Sequence, residues 1–338
     1  MFNDLLNACN RYANWNQCDD KLVKAVEDGV NVLIWFSINL TIDKNGKPTI
    51  SNGPDLDCAT KIITKLREMN LPTTHLISIG GWNSPHPDTS NPVEEVYTAW
   101  KQWNNGLFDG FDWDIEGNDD FDSPYNHFTP ACLDLMGRMS QLAKQDGLIV
   151  TMAPAESYLD PTCSIFDYDL NHTYSEWDDI QPGFNYHGHN TYAYLLAKYG
   201  STTLKPHTLA TTDTTVKSAT IHTVESSTES ESEAERCVDT FDLVIIQLYE
   251  GYSHAEYQLT RLKQPPYEYF HHYLTSLYQG WTVTFPTDIV LDEKGHNYEG
   301  NSGNRLIKID RNNLVIGLAN GWAGDGKFLL LYPDEVRV

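Results

Sequence analysis

No stretch of the 338 residues approaches the ~18 consecutive apolar residues of a membrane-crossing helix, which speaks against a transmembrane span. Basic residues are scarce. Lys and Arg number 23 against 47 Asp and Glu, a net charge of −24, so nucleic acid is not an expected partner. The six cysteines, Cys9, Cys18, Cys58, Cys132, Cys163 and Cys237, form no C-x-x-C pair and no zinc spacing. There is no H-E-x-x-H. His187, His189, His271 and His272 read as solvated or packed rather than as ligands, and no metal or organic cofactor is implied. No internal repeat is visible. Met1-Phe2-Asn3-Asp4 has neither the basic nor the apolar region of a secretory leader. A cytosolic protein and a mature or trimmed form both fit; the expectation adopted is the second, with an extracellular or secretory/vacuolar location. The sequons at Asn39 and Asn171 fit that compartment. Asn171 is the better candidate for glycosylation, because Asn39 ends a predicted core strand.

Aromatics, by contrast, are plentiful, with 19 Tyr and 9 Trp. About half must fill the core; with an acidic surface, the rest suit a binder of neutral sugars. Strand patterns alternate with helical ones, the signature of a parallel sheet with crossover helices. Strands are predicted over 30–40, 75–81, 107–116, 148–154, 241–249 and 313–320, and helices over 57–70, 92–104, 129–146 and 267–278. The stretch from about 200 to 236 is rich in Ser, Thr and Glu and reads as a surface excursion that cannot bury a core. Cys163 and Cys237 bracket this irregular part, and both a disulfide between them and six buried thiols stay open.

The segment Phe108-Asp109-Gly110-Phe111-Asp112-Trp113-Asp114-Ile115-Glu116-Gly117 puts four acids into a buried-strand pattern. In an extended strand Asp112, Asp114 and Glu116 share one face, while Phe111, Trp113 and Ile115 share the other. A row of buried carboxylates is costly unless protons are shared or hydrogen bonds satisfy them, so chemistry explains it better than stability does. A calcium loop is the competing reading. It wants an apolar residue at its eighth position and Glu at its twelfth, where this chain has Asp119 and Ser123.

The acids resemble the Asp-x-x-Asp-x-Asp-x-Glu signature of glycoside hydrolase family 18, the chitinases and their relatives. Asp109, Asp112, Asp114 and Glu116 all match. Ser78-Ile79-Gly80-Gly81-Trp82 resembles the end of that family's third strand, where the glycines would let backbone approach the sugar. Met152-Ala153-Pro154-Ala155 resembles the end of its fifth strand, Gln247-Leu248-Tyr249 its sixth, and Val315 to Asn320 its seventh. Arg11 to Asn16 resembles the end of its first strand. The resemblance implies an α/β TIM (β/α)₈ barrel over residues 1–338. It would be a single catalytic domain, with the Ser/Thr/Glu-rich insertion at about 200–236 between strands five and six. The last β/α unit departs from the family. Lys327 to Tyr332 is too short for a full crossover of at least ~10–12 residues, so either Phe328 to Tyr332 is a degenerate strand or the polypeptide continues. Trp322 or Trp281 could then supply the missing tryptophan floor of the sugar site.

The resemblance further implies a retaining, substrate-assisted hydrolysis of β-1,4-linked N-acetylglucosamine, as in chitin. Glu116 would be the general acid and then the base. Asp114 would hold the acetamido N–H, Asp112 would share a proton with Asp114, and Tyr249 would hold the acetamido oxygen. Gly80, Gly81, Trp82, Met152, Gln247 and Trp322 would contact substrate, whereas Asp109 and Ser78 would be structural. Two other readings stand beside it. An endo-β-N-acetylglucosaminidase acting on N-glycan cores would use the same acids. A chitinase-like lectin would bind chitooligosaccharides without cleaving them, a reading that the incomplete eighth unit favours and the retained Glu116 opposes.

Overall fold

In the computed structural model, residues 20–71, 73–120, 122–170, 190–204, 236–249, 253–286, 289, 291, 303–319, 329–331 and 335 are described. Eleven strands are found among them: β1 (Val32–Ile42), β2 (Pro48–Asn52), β3 (Thr74–Gly80), β4 (Gly110–Asp114), β5 (Ile149–Met152), β6 (Ser201–Leu204), β7 (Arg236–Asp239), β8 (Leu243–Gln247), β9 (Trp281–Thr284), β10 (Asn304–Ile307) and β11 (Leu314–Gly317). Seven of them form one sheet in the order β11-β8-β5-β4-β3-β1-β2. Every pairing in it is parallel except that of β2, which returns antiparallel on β1 through the turn at Asn45-Gly46. Beyond β11, Ala319 makes one parallel bridge to Leu330. β6 pairs with β7 and β9 with β10 as separate two-stranded ribbons.

The helices follow from apolar spacing and caps. Helix Leu56–Glu68 buries Ala59, Ile62, Ile63 and Leu66, one face at helical period. It starts where the Asp55 carboxylate accepts from the Asp57 and Cys58 backbone N–H groups. Helix Pro130–Gln145 starts on Thr129, whose hydroxyl accepts from Cys132 N–H, with Pro at its first turn. Helix Val93–Asn104 ends on Asn105 in the left-handed conformation. Between helices and sheet lies an aromatic layer: Trp100 meets Phe111 edge-on at 5.0 Å, and Phe111 meets Trp113 at 5.2 Å. The Trp113 indole donates to Ser140 at 2.8 Å, tying β4 to helix Pro130–Gln145. Among the described residues, no helix is long and apolar enough to cross a membrane.

Several expectations change. Cys163 and Cys237 both carry thiols, so no disulfide joins them. Asn39 is buried on β1 and offers no glycosylation site. Closure of the sheet into a barrel is not seen among the described residues, and the expected first-strand segment, Arg11 to Asn16, lies outside them. So do Asn171, Trp322, Cys9, Cys18, His187, His189 and residues 205–235 of the expected insertion.

Candidate active site

The site lies at the C-terminal end of the parallel strands. Asp114, Gly80 and Gln247 are the last residues of β4, β3 and β8. Asp112, Asp114 and Glu116 are all buried, at 2%, 7% and 8% exposure. Asp112 stands in register with Ser78 on β3 and Thr151 on β5, and its carboxylate accepts from the Thr151 hydroxyl. Burial, and then the charge of Asp114, push its carboxyl up to about 7 against that hydrogen bond. Asp114 hydrogen-bonds Glu116, and its Oδ1 accepts from Gln247 Nε2 at 2.8 Å. Burial first, then the charge and hydrogen bond of Glu116, hold the Asp114 carboxyl well above the usual range, and Gln247 pulls the other way.

Gln247 is a junction. Its Nε2 also donates to the Ala153 carbonyl at 2.6 Å, which fixes the amide orientation, and its Oε1 accepts from the Tyr249 hydroxyl. Tyr249, Gln247, Asp114 and Glu116 thus form one hydrogen-bonded chain across β8 and β4. Of the groups expected around the acids, Met152 is not brought there. It is fully buried and in register with Trp113, on the apolar side of the sheet. Asp109 is at the other end of β4, where its Oδ2 accepts from His75 N–H at 2.8 Å, as a strand anchor would. Ser78 is buried, with no hydrogen-bond partner for its hydroxyl among the described residues. Trp281 is buried and donates to Asn190 at 3.0 Å.

The two glycines are closely packed by their own neighbours. A Cβ on Gly80, whose φ is +108°, would lie 2.5 Å from the Asp114 carbonyl oxygen, and one on Gly81 would lie 2.3 Å from the Phe36 ring. They let β3 close on its own neighbours, and Gly81 N–H donates to that same Asp114 carbonyl at 2.6 Å. Trp82 donates to Asp119 Oδ1 at 2.9 Å, and Asn83 donates to Asp119 Oδ2 at 2.6 Å. The rim of β3 is thereby joined to the loop after the acids.

Sequence reasoning missed the groups that hold that loop. Tyr192 meets the Ile115 backbone, His86 Nε2 lies 2.9 Å from the Glu116 carbonyl, Asn83 N–H donates to the Gly117 carbonyl, and Asn126 Oδ1 accepts from Asn118 N–H. Burial pulls His86 down to about 4, so near neutral pH it is uncharged and serves that carbonyl as an N–H donor. No sequence signal marks these residues, because each backbone partner is distant in the chain or irregular in shape.

The described part is therefore an α/β protein with a mostly parallel sheet and a coupled carboxylate pair at the C-terminal ends of its strands, the position used by barrel enzymes. No family model matches the chain, and no curated protein matches it. Solved structures similar to it include the Legionella pneumophila ChiA C-terminal domain, at 17% identity over 92% of this chain and 76% of that one, with a TM-score of 0.47. Ostrinia furnacalis Group IV chitinase matches at 14% over 67% of this chain and 46% of its own, with a TM-score of 0.37. A fungal endo-beta-N-acetylglucosaminidase from glycosyl hydrolase family 18 matches at 14% over 67% and 59%, with a TM-score of 0.35. The chain spans about half the length of the last two. All three likenesses are distant, and the chemistry rests on the site itself.

Proposed function

We propose that the chain is a glycoside hydrolase that cleaves β-1,4-linked N-acetylglucosamine in chitin or its oligomers, with retention and with help from the substrate's own acetamido group. The observation that carries this reading is the hydrogen-bonded chain Tyr249–Gln247–Asp114–Glu116 at the C-terminal end of a parallel sheet. The reading takes 1–338 as one barrel domain with the insertion at about 200–236. It is supported by the sheet order, in which the parallel strands follow one another in sequence, as in a barrel with all crossovers of one hand.

In this mechanism Glu116, drawing on the proton it shares with Asp114, protonates the glycosidic oxygen. The acetamido oxygen attacks C1, and no second carboxylate is needed as nucleophile. Asp114 accepts from the acetamido N–H and stabilises the oxazolinium ion. Glu116, now a carboxylate, takes a proton from the water that opens it. Tyr249, to hold the acetamido oxygen, exchanges Gln247 for the substrate as its acceptor. Asp112, whose carboxyl the charge of Asp114 raises, shares a proton with Asp114. Trp82, Gly80 and Gly81 form the wall.

The test is fluorophore release from chitobiose and chitotriose glycosides by wild type and Glu116→Gln. Turnover should fall by at least ~10²-fold in the variant, and a cellobioside, which lacks the acetamido group, should not be cleaved. Turnover of the cellobioside would refute the substrate-assisted step. A second reading is a lectin for the same sugars. It predicts binding of chitooligosaccharides without turnover. Cleavage of N-glycan cores but not of chitin oligomers would instead identify an endo-β-N-acetylglucosaminidase.

A further inference from the structure

Tyr192 has no part in that chemistry, yet it touches the strand that carries it. It is 0% exposed. Its hydroxyl accepts from Ile115 N–H at 2.9 Å and donates to the Ile115 carbonyl at 2.9 Å. Ile115 separates Asp114 from Glu116 and lies one residue past the end of β4. There the ladder has ended, and a buried backbone N–H or carbonyl without a partner is costly. One phenol supplies both partners. A residue with both backbone groups held has little freedom in its own torsions, and those torsions set where the next side chain points.

The clamp is itself packed and hydrogen-bonded. The Tyr192 ring packs against Tyr158 at 5.6 Å and Phe128 at 6.1 Å, and its own N–H donates to the Tyr158 carbonyl. Burial, and then the charges of Asp114, Tyr158 and Glu116, keep the phenol protonated far above its ordinary range. It therefore stays a neutral donor and acceptor at any working pH.

We propose that Tyr192 is a positioning residue for the acid pair, its hydroxyl fixing the Ile115 backbone so that Asp114 and Glu116 meet and share a proton. This rests on the role given to that pair above. Tyr192→Phe removes the hydroxyl alone. Tyr194→Phe is the matched control: Tyr194 is also buried, lies two residues on in the helix Ala193–Tyr199 that Tyr192 precedes, and its hydroxyl donates to Asp134 instead.

Two readouts separate positioning from bulk stability. The first needs no substrate: carbon-13 NMR titration of Asp- and Glu-labelled protein, with the pair assigned through Asp114→Asn. The pair's midpoints should move by about half a pH unit or more in Tyr192→Phe and stay put in Tyr194→Phe. The second is turnover of the chitotriose glycoside. In Tyr192→Phe, kcat should fall roughly 10- to 100-fold with KM within about 3-fold, and the pH profile should move with the titration. If Tyr192→Phe does not fold, ring-fluorinated tyrosine at 192 keeps the shape, alters the hydrogen bonds and should still shift the midpoints. Unchanged midpoints in the Tyr192 variants, or an equal change in Tyr194→Phe, would overturn the proposal. A wild type that cleaves nothing would refute the hydrolase reading instead, leaving the titration to decide the clamp.

Discussion

At the scale of the residue, Asp112 is the clearest case of stability given up for a site. Its carboxyl is almost wholly buried and pushed up to about 7 from 3.8. An acid whose folded pKa is raised binds its proton more tightly in the folded state. Its favourable contribution is complete below about pH 4 and is lost as pH rises toward 7. The full shift corresponds to at most roughly 4 kcal/mol. Asp112→Asn, which keeps an acceptor for Thr151, should therefore unfold at higher urea than wild type at pH 8, by about 1–3 kcal/mol, and lose that advantage near pH 4. An Asn variant less stable at pH 8 would mean that the charged carboxylate gains more from its neighbours than burial costs it. The pattern of acids was legible in sequence because period-two spacing puts Asp112 and Asp114 on one face. Their hydrogen-bond partners were not: Thr151 comes from a strand 39 residues on, and nothing in its type distinguishes it from a core threonine.

At the scale of the element, strand positions were readable wherever apolar runs were bounded by turn residues. The expected strand over 75–81 is Thr74–Gly80 and the expected helix over 92–104 is Val93–Asn104. The ribbons β6/β7 and β9/β10 were not expected, because their exposed alternate residues dilute the apolar signal. The acid-bearing strand was expected over 107–116, and its ladder spans only Gly110–Asp114. Glu116 thus reaches Asp114 from irregular backbone, which is why side chains such as Tyr192 and His86 must hold it. The end of β3 is equally constrained. Gly80→Ala would press a methyl against the Asp114 carbonyl and force a side chain at φ +108°. It should cost more than about 1 kcal/mol in thermal or urea unfolding and lower turnover beyond what the lost stability explains. Wild-type turnover in a fully folded Gly80→Ala would show that the Asp114 carbonyl can retreat without disturbing its carboxyl.

At the scale of the whole molecule, a net charge of −24 sets a general self-repulsion. Ion pairs such as Lys65–Asp20 and Lys101–Asp146 are exposed, and such pairs contribute little. Raising salt should screen the repulsion more than it weakens those pairs, adding about 1 kcal/mol, or roughly 2–4 °C in Tm between 0.05 and 0.5 M NaCl. A Tm that falls with salt would put attraction, not repulsion, in charge. The acidic surface and aromatic content were visible from composition, whereas the joining of neighbouring loops was not, since it depends on single side chains such as Asp119. That carboxylate grips the Trp82 indole with one oxygen and the Asn83 amide with the other. A tryptophan left loose at a rim loses rotational freedom whenever a ligand lies on it, at about 0.5–1.5 kcal/mol per side chain ordered. Here that freedom is surrendered when the chain folds, so the rim presents a ring already set at its angle, and a ligand arriving there has less disorder to overcome.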